Sequence, residues 1–505
     1  MHNYIGILNK STAVNKSLTC SFLNSFPQLN MIIAKSNVLE FYNITKEGLE
    51  SFLFSKIYGN VLILEKITYF NPNNSADDLF IMTNDFDYSI VSFDKQKNDL
   101  DCKAFGHIRE DIGKKQDIKY CMDYDYKYII VSGFKNIFKV IYLQNMDKNT
   151  DITIRCDYDE LLLLFPIYTE GGFMDDRERL KNLALCKKNR NNSNVPDSNN
   201  NPNNFFTNGN IFKTGENPKQ NIFANLKTVI ADPTTSQKQL LLETFTIDFP
   251  SRHLVKNSNI LLDLTNNPVV SLMFSPKIGG LCIFFSNCLK YYEIGARIIE
   301  RDTKNFSDRK FISYTEIDKS RYLLGDDMGN LFILGFKPKS NNINIYNNPG
   351  SSNTNGFEYN LIFQFLGEVS IPSSISFLDN NYIFIGSEQG NSQLIKILSV
   401  PKNDKNLPFV EVIEEYDNLA PISDFLVINS NNEESNTEIL CICGSGKSCR
   451  LKAIRKGTSF SPDVELFFPY IKSFSSFMYR NKKENNNENN LANSSVEENV
   501  VFLIR

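Results

Sequence analysis

The sequence predicts an all-β fold: a seven-bladed β-propeller of the WD40-like kind, followed by the incomplete start of a second propeller. Three observations predict it. A unit of apolar strand, short polar turn and second apolar strand recurs along the 505 residues. Helical periodicity is weak throughout, while period-two alternation and β-branched or aromatic enrichment dominate. Most units also begin at steps near the ~40 to 50 residues of a four-stranded blade. A hairpin with two apolar strands cannot hide its hydrophobic surface alone, so many such hairpins must stack into one object.

In chain order the units are Met31 to Tyr42 (MIIAKSNVLEFY), Leu79 to Phe93 (LFIMTNDFDYSIVSF) and Tyr128 to Leu143 (YIIVSGFKNIFKVIYL). A fourth starts near residue 183 (NLALC), with its partner strand near Leu240 (QLLLETFTI). Leu281 to Ile294, Arg321 to Phe336 (RYLLGDDMGNLFILGF) and Tyr382 to Leu398 (YIFIGSEQGNSQLIKIL) complete seven, which close a ring over residues 1–400. Closure removes the unpaired edges that an open sheet would expose. Two wide steps have a visible cause in Asn-rich inserts at about 189–220 and 341–356, which carry too little apolar surface to offset the entropy of ordering and are expected to be disordered loops. One short helix is expected around Asp175 to Leu185. An eighth hairpin, Ile439 to Ile454, assigns residues 401–505 to the truncated beginning of a second propeller, with a low-complexity stretch at about 481–493.

Composition narrows the function. The 54 basic and 58 acidic residues give a net charge of -4, so no global field draws the protein to nucleic acid or to an anionic membrane. Ten cysteines have no framework spacing, and those such as Cys282, Cys441 and Cys443 sit inside apolar strands, which reads as reduced, intracellular thiols. The first residues carry no secretory signature, and no apolar run approaches membrane-spanning length.

No local motif announces chemistry. GSGKS at Gly444 to Ser448 lacks the glycine a phosphate loop needs at position 441, which is Cys441, and the following CRLKAI alternates like a strand, so a hairpin turn is the better reading. Cys441, Cys443 and Cys449 have no second pair or nearby histidine to complete a zinc site. His2, His107 and His253 stand in no triad-like or metal-binding setting. Asp85, Asp87, Asp326 and Asp327 fall at turns, where the side chain bonds its own backbone. Lys447, Arg450, Lys452, Arg455 and Lys456 form the densest positive run, read as a solvated strand face ahead of a nucleic-acid groove. No catalytic residue, cofactor or metal is expected, and the chain is read as a non-enzyme.

The stretches STAVNKSLTCSF with QLNMIIAKSNVLEFYNITKEGL, FGHIREDIG, NIFKVIYL, SRYLLGDDMGNLF, LGEVSIPSSISFLDNNYIFIGSEQGNSQLIKI and DNLAPISDF resemble the first third or more of the DNA damage-binding protein 1 family, the triple-propeller adaptors of cullin-4 ubiquitin ligases. The large subunit of the cleavage and polyadenylation specificity factor and the third subunit of splicing factor 3b share that architecture, and the TAVN start and LDNNYIFIGSEQGNSQL cassette are closer to the damage-binding branch. The resemblance implies a scaffold that docks substrate receptors and cullin-4 ligase components in ubiquitination and DNA repair. It also implies a nuclear location, with the cytoplasm second, no membrane, and nucleic acid met through partners. An RNA-processing scaffold of the polyadenylation or splicing kind is the alternative. For partner binding the resemblance points to Arg109 and Lys114 in FGHIREDIGKK and to Leu334 after YLLGDDMG; Asp111 departs from the basic character expected of that loop.

Overall fold

The computed structural model describes residues 11–23, 28–45, 48–68, 76–109, 114–143, 151–156, 160–167, 222–232, 237–262, 269–338, 359–402, 406, 408–429, 437–455, 473–481 and 496–504. The expected helix at 175–185 and the Asn-rich stretches at 189–220, 341–356 and, past Asn481, 482–493 lie outside them. Among the described residues no helix is long and apolar enough to cross a membrane.

Seven antiparallel four-stranded sheets follow one another along the chain, over residues 16–56, 61–107, 115–155, 160–262, 270–305, 311–368 and 374–416. Within each, sequence neighbours are spatial neighbours, so every blade is a simple meander from one continuous stretch. The innermost strands, Lys16–Cys20, Val61–Ile67, Lys115–Met122, Glu160–Ile167, Val270–Phe274, Phe311–Asp318 and Ser374–Asp379, surround a common axis, with the last lying against the first. The fold is the predicted seven-bladed propeller.

The recurring hairpins of the sequence are the second and third strands of every blade except the fourth. Their runs are apolar on both faces because a blade is covered on both sides. Ile32 and Ala34 pack toward blade 2, and Met31 and Ile33 pack toward blade 7. Seven buried clusters result, one at each junction between neighbouring blades. Each fully buried Ile, Leu or Phe there contributes about 1.5–3 kcal/mol relative to exposure. Burial also pushes the thiols of Cys20, Cys121 and Cys282 well up, so these cysteines behave as small hydrophobes.

Turn chemistry explains the polar centre of the repeat. In GDDMGN the carboxylate of Asp326, fully buried, accepts the backbone N–H groups of Met328 (3.0 Å) and Asn330 (2.7 Å) and the Asn330 side-chain amide (2.7 Å). Gly329 adopts φ +80°, and a Cβ there would strike the Val369 carbonyl. In GSEQGN, Ser387 occupies the equivalent place and its hydroxyl accepts from Gln389 (3.2 Å) and Gly390 (3.0 Å). Asn380 and Asn381, with φ 50° and 69°, form the two-residue turn between the first two strands of blade 7.

Blade 4 corrects one expectation. The strand carrying Leu240, Gln237–Asp248, pairs with Ile222–Asp232 (Leu240 opposite Thr228) and with His253–Leu262, instead of with NLALC, which lies outside the described residues. IFANLKTVIAD is itself a strand-forming run, joined to its neighbour by residues 233–236 alone, and short closure costs less entropy than closure across the insert.

Past the ring, Ile422–Asn429, Thr437–Cys443 and Arg450–Arg455 form a three-stranded sheet. By internal contacts the chain divides into Met1–Val427 with Ile439–Ala453, and Ile428–Glu438 with Ile454–Arg505. Among its described residues the second unit contains an antiparallel hairpin, Ser473–Asn481 with Val496–Ile504, in register from Ser473 opposite Ile504 to Asn481 opposite Val496.

Candidate interaction face and axial cavity

Meandering strands segregate the connections of the propeller to its two ends. First-to-second and third-to-fourth connections leave at one end; second-to-third and blade-to-blade connections leave at the other. Both long connections, 168–221 in blade 4 and 339–358 in blade 6, are anchored at the first end, where Ile167 pairs with Ile222 and Pro338 with Tyr359. The second end carries short connections only, the longest being 108–114 and 263–269. It is the end that a docking partner can approach without displacing an insert.

Arg109 and Lys114 are exposed on that end, flanking the step from blade 2 to blade 3. Their backbone is held from both sides: the Ile108 N–H donates to the Phe86 carbonyl (3.0 Å) and the Lys135 N–H to the Lys114 carbonyl (2.9 Å). Phe86 and Phe134 stack beneath, centroids 5.0 Å apart, with the Lys115 ammonium 5.2 Å from the Phe86 ring. Asp111 lies outside the described residues. Leu334 is placed differently. It is fully buried between blades 5 and 6 with Tyr322 and Phe336, so its side chain is inaccessible to a partner and serves the core. Position after YLLGDDMG could not reveal this, because the third strand of a blade is covered on both faces.

The GSGKS turn also belongs to this end, as packing. It is a single 3-10 turn, Gly446–Ser448, whose Ser445 N–H and hydroxyl donate to the Gln389 carbonyl (2.9 Å) and side-chain oxygen (2.6 Å) on blade 7. A side chain at Gly390 would collide with Ser448. A strand follows in place of the helix a phosphate loop requires. Cys441 and Cys443 are buried and Cys449 is exposed; burial and then the neighbouring Cys441 raise the Cys443 thiol.

The described part of the positive run agrees with a solvated face: Lys447 and Arg450 are exposed and Lys452 is largely covered, and each pairs with an acidic side chain. Lys447 meets Glu368 (3.1 Å), Arg450 meets Glu415 (3.9 Å), and Lys452 bonds Asp417 (2.9 Å), the Asn391 side chain (3.2 Å) and the Asn418 carbonyl (3.0 Å). Lys452 in turn holds the Asp417 carboxyl below its ordinary range. The Arg455 side chain and Lys456 lie outside the described residues.

A cavity of about 490 Å³ opens along the axis between blades 7, 1, 2 and 3. Its wall combines Val61, Leu62, Ile63 and Ile118 with the polar groups of Asn15, Lys16, Asp117, Tyr120, Ser373 and Glu388. The Tyr120 hydroxyl donates to Glu65 (3.0 Å), whose carboxyl is raised by burial against the opposing effects of Tyr120, Lys16 and Lys66. Sequence reading missed this site because its residues come from four separate blades.

Comparison with known proteins fits this architecture. A family model described as "RSE1/DDB1/CPSF1 first beta-propeller" matches residues 13–417. DNA damage-binding protein 1 of Oryza sativa subsp. japonica and DNA damage-binding protein 1a of Arabidopsis thaliana are each 25% identical over 473 residues, covering 93% of this chain and 36% of theirs. DNA damage-binding protein 1 of Solanum lycopersicum is 24% identical over the same span. The chain thus spans little more than a third of the length of these relatives, and the span includes every blade of the ring. It belongs to the RSE1/DDB1/CPSF1 first β-propeller family.

Proposed function

We propose that this chain is a non-catalytic scaffold, the first propeller of a damage-binding adaptor, which docks substrate receptors of cullin-4-type ubiquitin ligases in protein ubiquitination and DNA repair in the nucleus. The observation that carries the reading is the family match across the whole ring, and the insert-free end with Arg109 and Lys114 exposed supplies a surface for it. Rigid blades carrying short loops suit docking because little conformational entropy is lost on binding. The three-stranded sheet after the ring is read as the opening blade of a second propeller; Phe425, Leu426 and Leu451 are exposed on it. Nucleic acid is met through partners, since the described cations of the densest basic run are already paired with acidic side chains.

The test is affinity purification of the full gene product followed by mass spectrometry. Recovery of receptor propellers and cullin-4-type components supports the reading; recovery of splicing or polyadenylation factors in their place transfers the scaffold to the RNA-processing branch. Arg109→Glu with Lys114→Glu is expected to reduce receptor capture up to about tenfold and to steepen with falling salt, as rim charges do.

A further inference from the structure

At the insert-free end, the step from blade 2 to blade 3 gathers five exposed cations, Arg109, Lys114, Lys115, Lys135 and Arg155. Strand register fixes their places. Lys115 lies opposite Phe134, Phe134 opposite Ile137, and Ile137 opposite Arg155, so two of the cations end one row across the four strands of blade 3. Strands lie ~4.8 Å apart, and the row spans about 14 Å. The Lys135 N–H donates to the Lys114 carbonyl (2.9 Å) and the Cys156 N–H to the Asn136 carbonyl (2.9 Å), which seats Lys114 and Lys135 along the same row. Arg109 follows Ile108, whose N–H bonds the Phe86 carbonyl (3.0 Å), and the Phe86 ring centre lies 5.2 Å from the Lys115 ammonium. Three cations elsewhere at this end are matched: Arg309 by Asp326 (3.3 Å), Lys447 by Glu368 (3.1 Å) and Lys452 by Asp417 (2.9 Å). Among the described residues, the five of the cluster make no ion pair and no side-chain hydrogen bond.

Carboxylates stand at the margins of the cluster. Asp85 and Asp87 sit at the second-to-third turn of blade 2, with Asp87 bonded to His107 (2.7 Å), and Asp117 lies two residues along the inner strand from Lys115. Glu110 and Asp111 lie outside the described residues. Like charges held within about a Debye length, ~8 Å at physiological salt, repel one another, and an anion relieves the repulsion. The marginal carboxylates limit how long that anion can be, because a continuous phosphate backbone would run past the cations onto Asp85, Asp87 or Asp117. Bases would find no stacking platform either, since Phe86 and Phe134 are buried, 5% and 3% exposed. A short run of carboxylates meets both conditions. We propose that this cluster recognises a short Asp/Glu-rich segment of a docking partner, with carboxylates on Lys115 and Arg155 and with Lys114, Lys135 and Arg109 around them. The inference rests on the docking reading for the existence of a partner and adds the chemistry which that partner presents.

Fluorescence anisotropy on the full chain tests this with a labelled glutamate-rich peptide, its glutamine counterpart and an oligodeoxythymidine of equal charge. The glutamate peptide is expected to bind about tenfold or more tightly than the glutamine counterpart, and to weaken as salt rises. The oligodeoxythymidine should bind more weakly than the glutamate peptide. Lys115→Glu with Arg155→Glu should lower the affinity for the glutamate peptide about tenfold or more, whereas Lys56→Glu with Lys310→Glu, an equal change of net charge at exposed positions of the same end, should leave it within about twofold. If charge reversal unfolds the chain, judged by circular dichroism, Lys115→Gln with Arg155→Gln decides by the same criterion. No binding of the glutamate peptide, equal weakening by the two charge-reversed pairs, or tighter binding of the oligodeoxythymidine would overturn the proposal. Undiminished receptor capture by the Lys115→Glu, Arg155→Glu protein would likewise sink it while leaving the docking reading intact; peptide binding at the cluster with no receptor captured would uphold the site and sink that reading.

Discussion

Two junctions of the ring are built in opposite ways. Between blades 5 and 6 the contact is aromatic: Phe274 stacks on Tyr314 with centroids 4.6 Å apart, Phe332 on Phe363 at 5.0 Å, and Phe311 is fully buried among Phe284, Phe306 and Phe332. Between blades 7 and 1, where the chain closes on itself, the buried cluster is the smallest of the seven, Val14, Met31, Ile33, Leu378, Phe384 and Leu394. Directional bonds supplement it. The Ser17 hydroxyl donates to Ser374 (2.9 Å) and shares a 2.7 Å hydrogen bond with Ser376, the Val14 N–H donates to the Ser387 carbonyl (3.1 Å), and Ser373 donates to the Val14 carbonyl. Asn418 completes the seam, accepting from Thr12 (2.8 Å) and donating to the Gly390 carbonyl (3.0 Å). The contrast teaches that a ring whose blades share no strand can be shut by specific polar contacts where apolar area is scarce.

Four measurements break or sharpen the contrast. Phe311→Ala should cost about 3–5 kcal/mol by denaturant unfolding, because it opens a cavity among rings that cannot collapse into it. Asn418→Ala should cost about 1–3 kcal/mol, with fast amide exchange confined to residues near Val14, Ser373 and Ser387; uniform loss of protection would show that the seam is no separate joint. Asp123, in blade 3, lies outside both junctions and reports on pH alone. Burial pushes its carboxyl up to about 6 from 3.8, so the folded state holds the proton more tightly than the unfolded one. Stability therefore falls as pH rises from about 4 to 6, and Asp123→Asn should flatten that slope and stabilise by about 1–2 kcal/mol at pH 7.5 while changing little at pH 4. Arg450→Ala, which removes an exposed 3.9 Å pair with Glu415, should shift stability by no more than about 0.5 kcal/mol.

The same contrast explains what the sequence made legible. Central hairpins announce themselves because Ile32 and Ile33 face opposite neighbours and both must be apolar. Outer strands do not: in Asp99–His107 and Ile298–Asn305 most side chains reach solvent, and neither run stands out from a loop. The strand Ile222–Asp232 is hard to read from the sequence because the Asn-rich insert before it separates it from the strand it pairs with on its other side, Glu160–Ile167. At the candidate face Arg109 and Lys114 are exposed, whereas Leu334 could not be distinguished from a rim residue without knowing what covers it. The seam and the cavity were invisible for one reason: Thr12 and Asn418 meet, and Lys16 and Asp117 come to line one cavity, only after the ring has formed.

The meeting of Thr12 with the chain that leaves the ring has a further consequence. The Leu419 N–H donates to the Thr12 hydroxyl at 3.0 Å, so the way in and the way out of the propeller touch. A disc whose entrance and exit coincide can be threaded onto a longer polypeptide like a bead, at any surface loop, without stretching its host. Several such discs can then share one backbone.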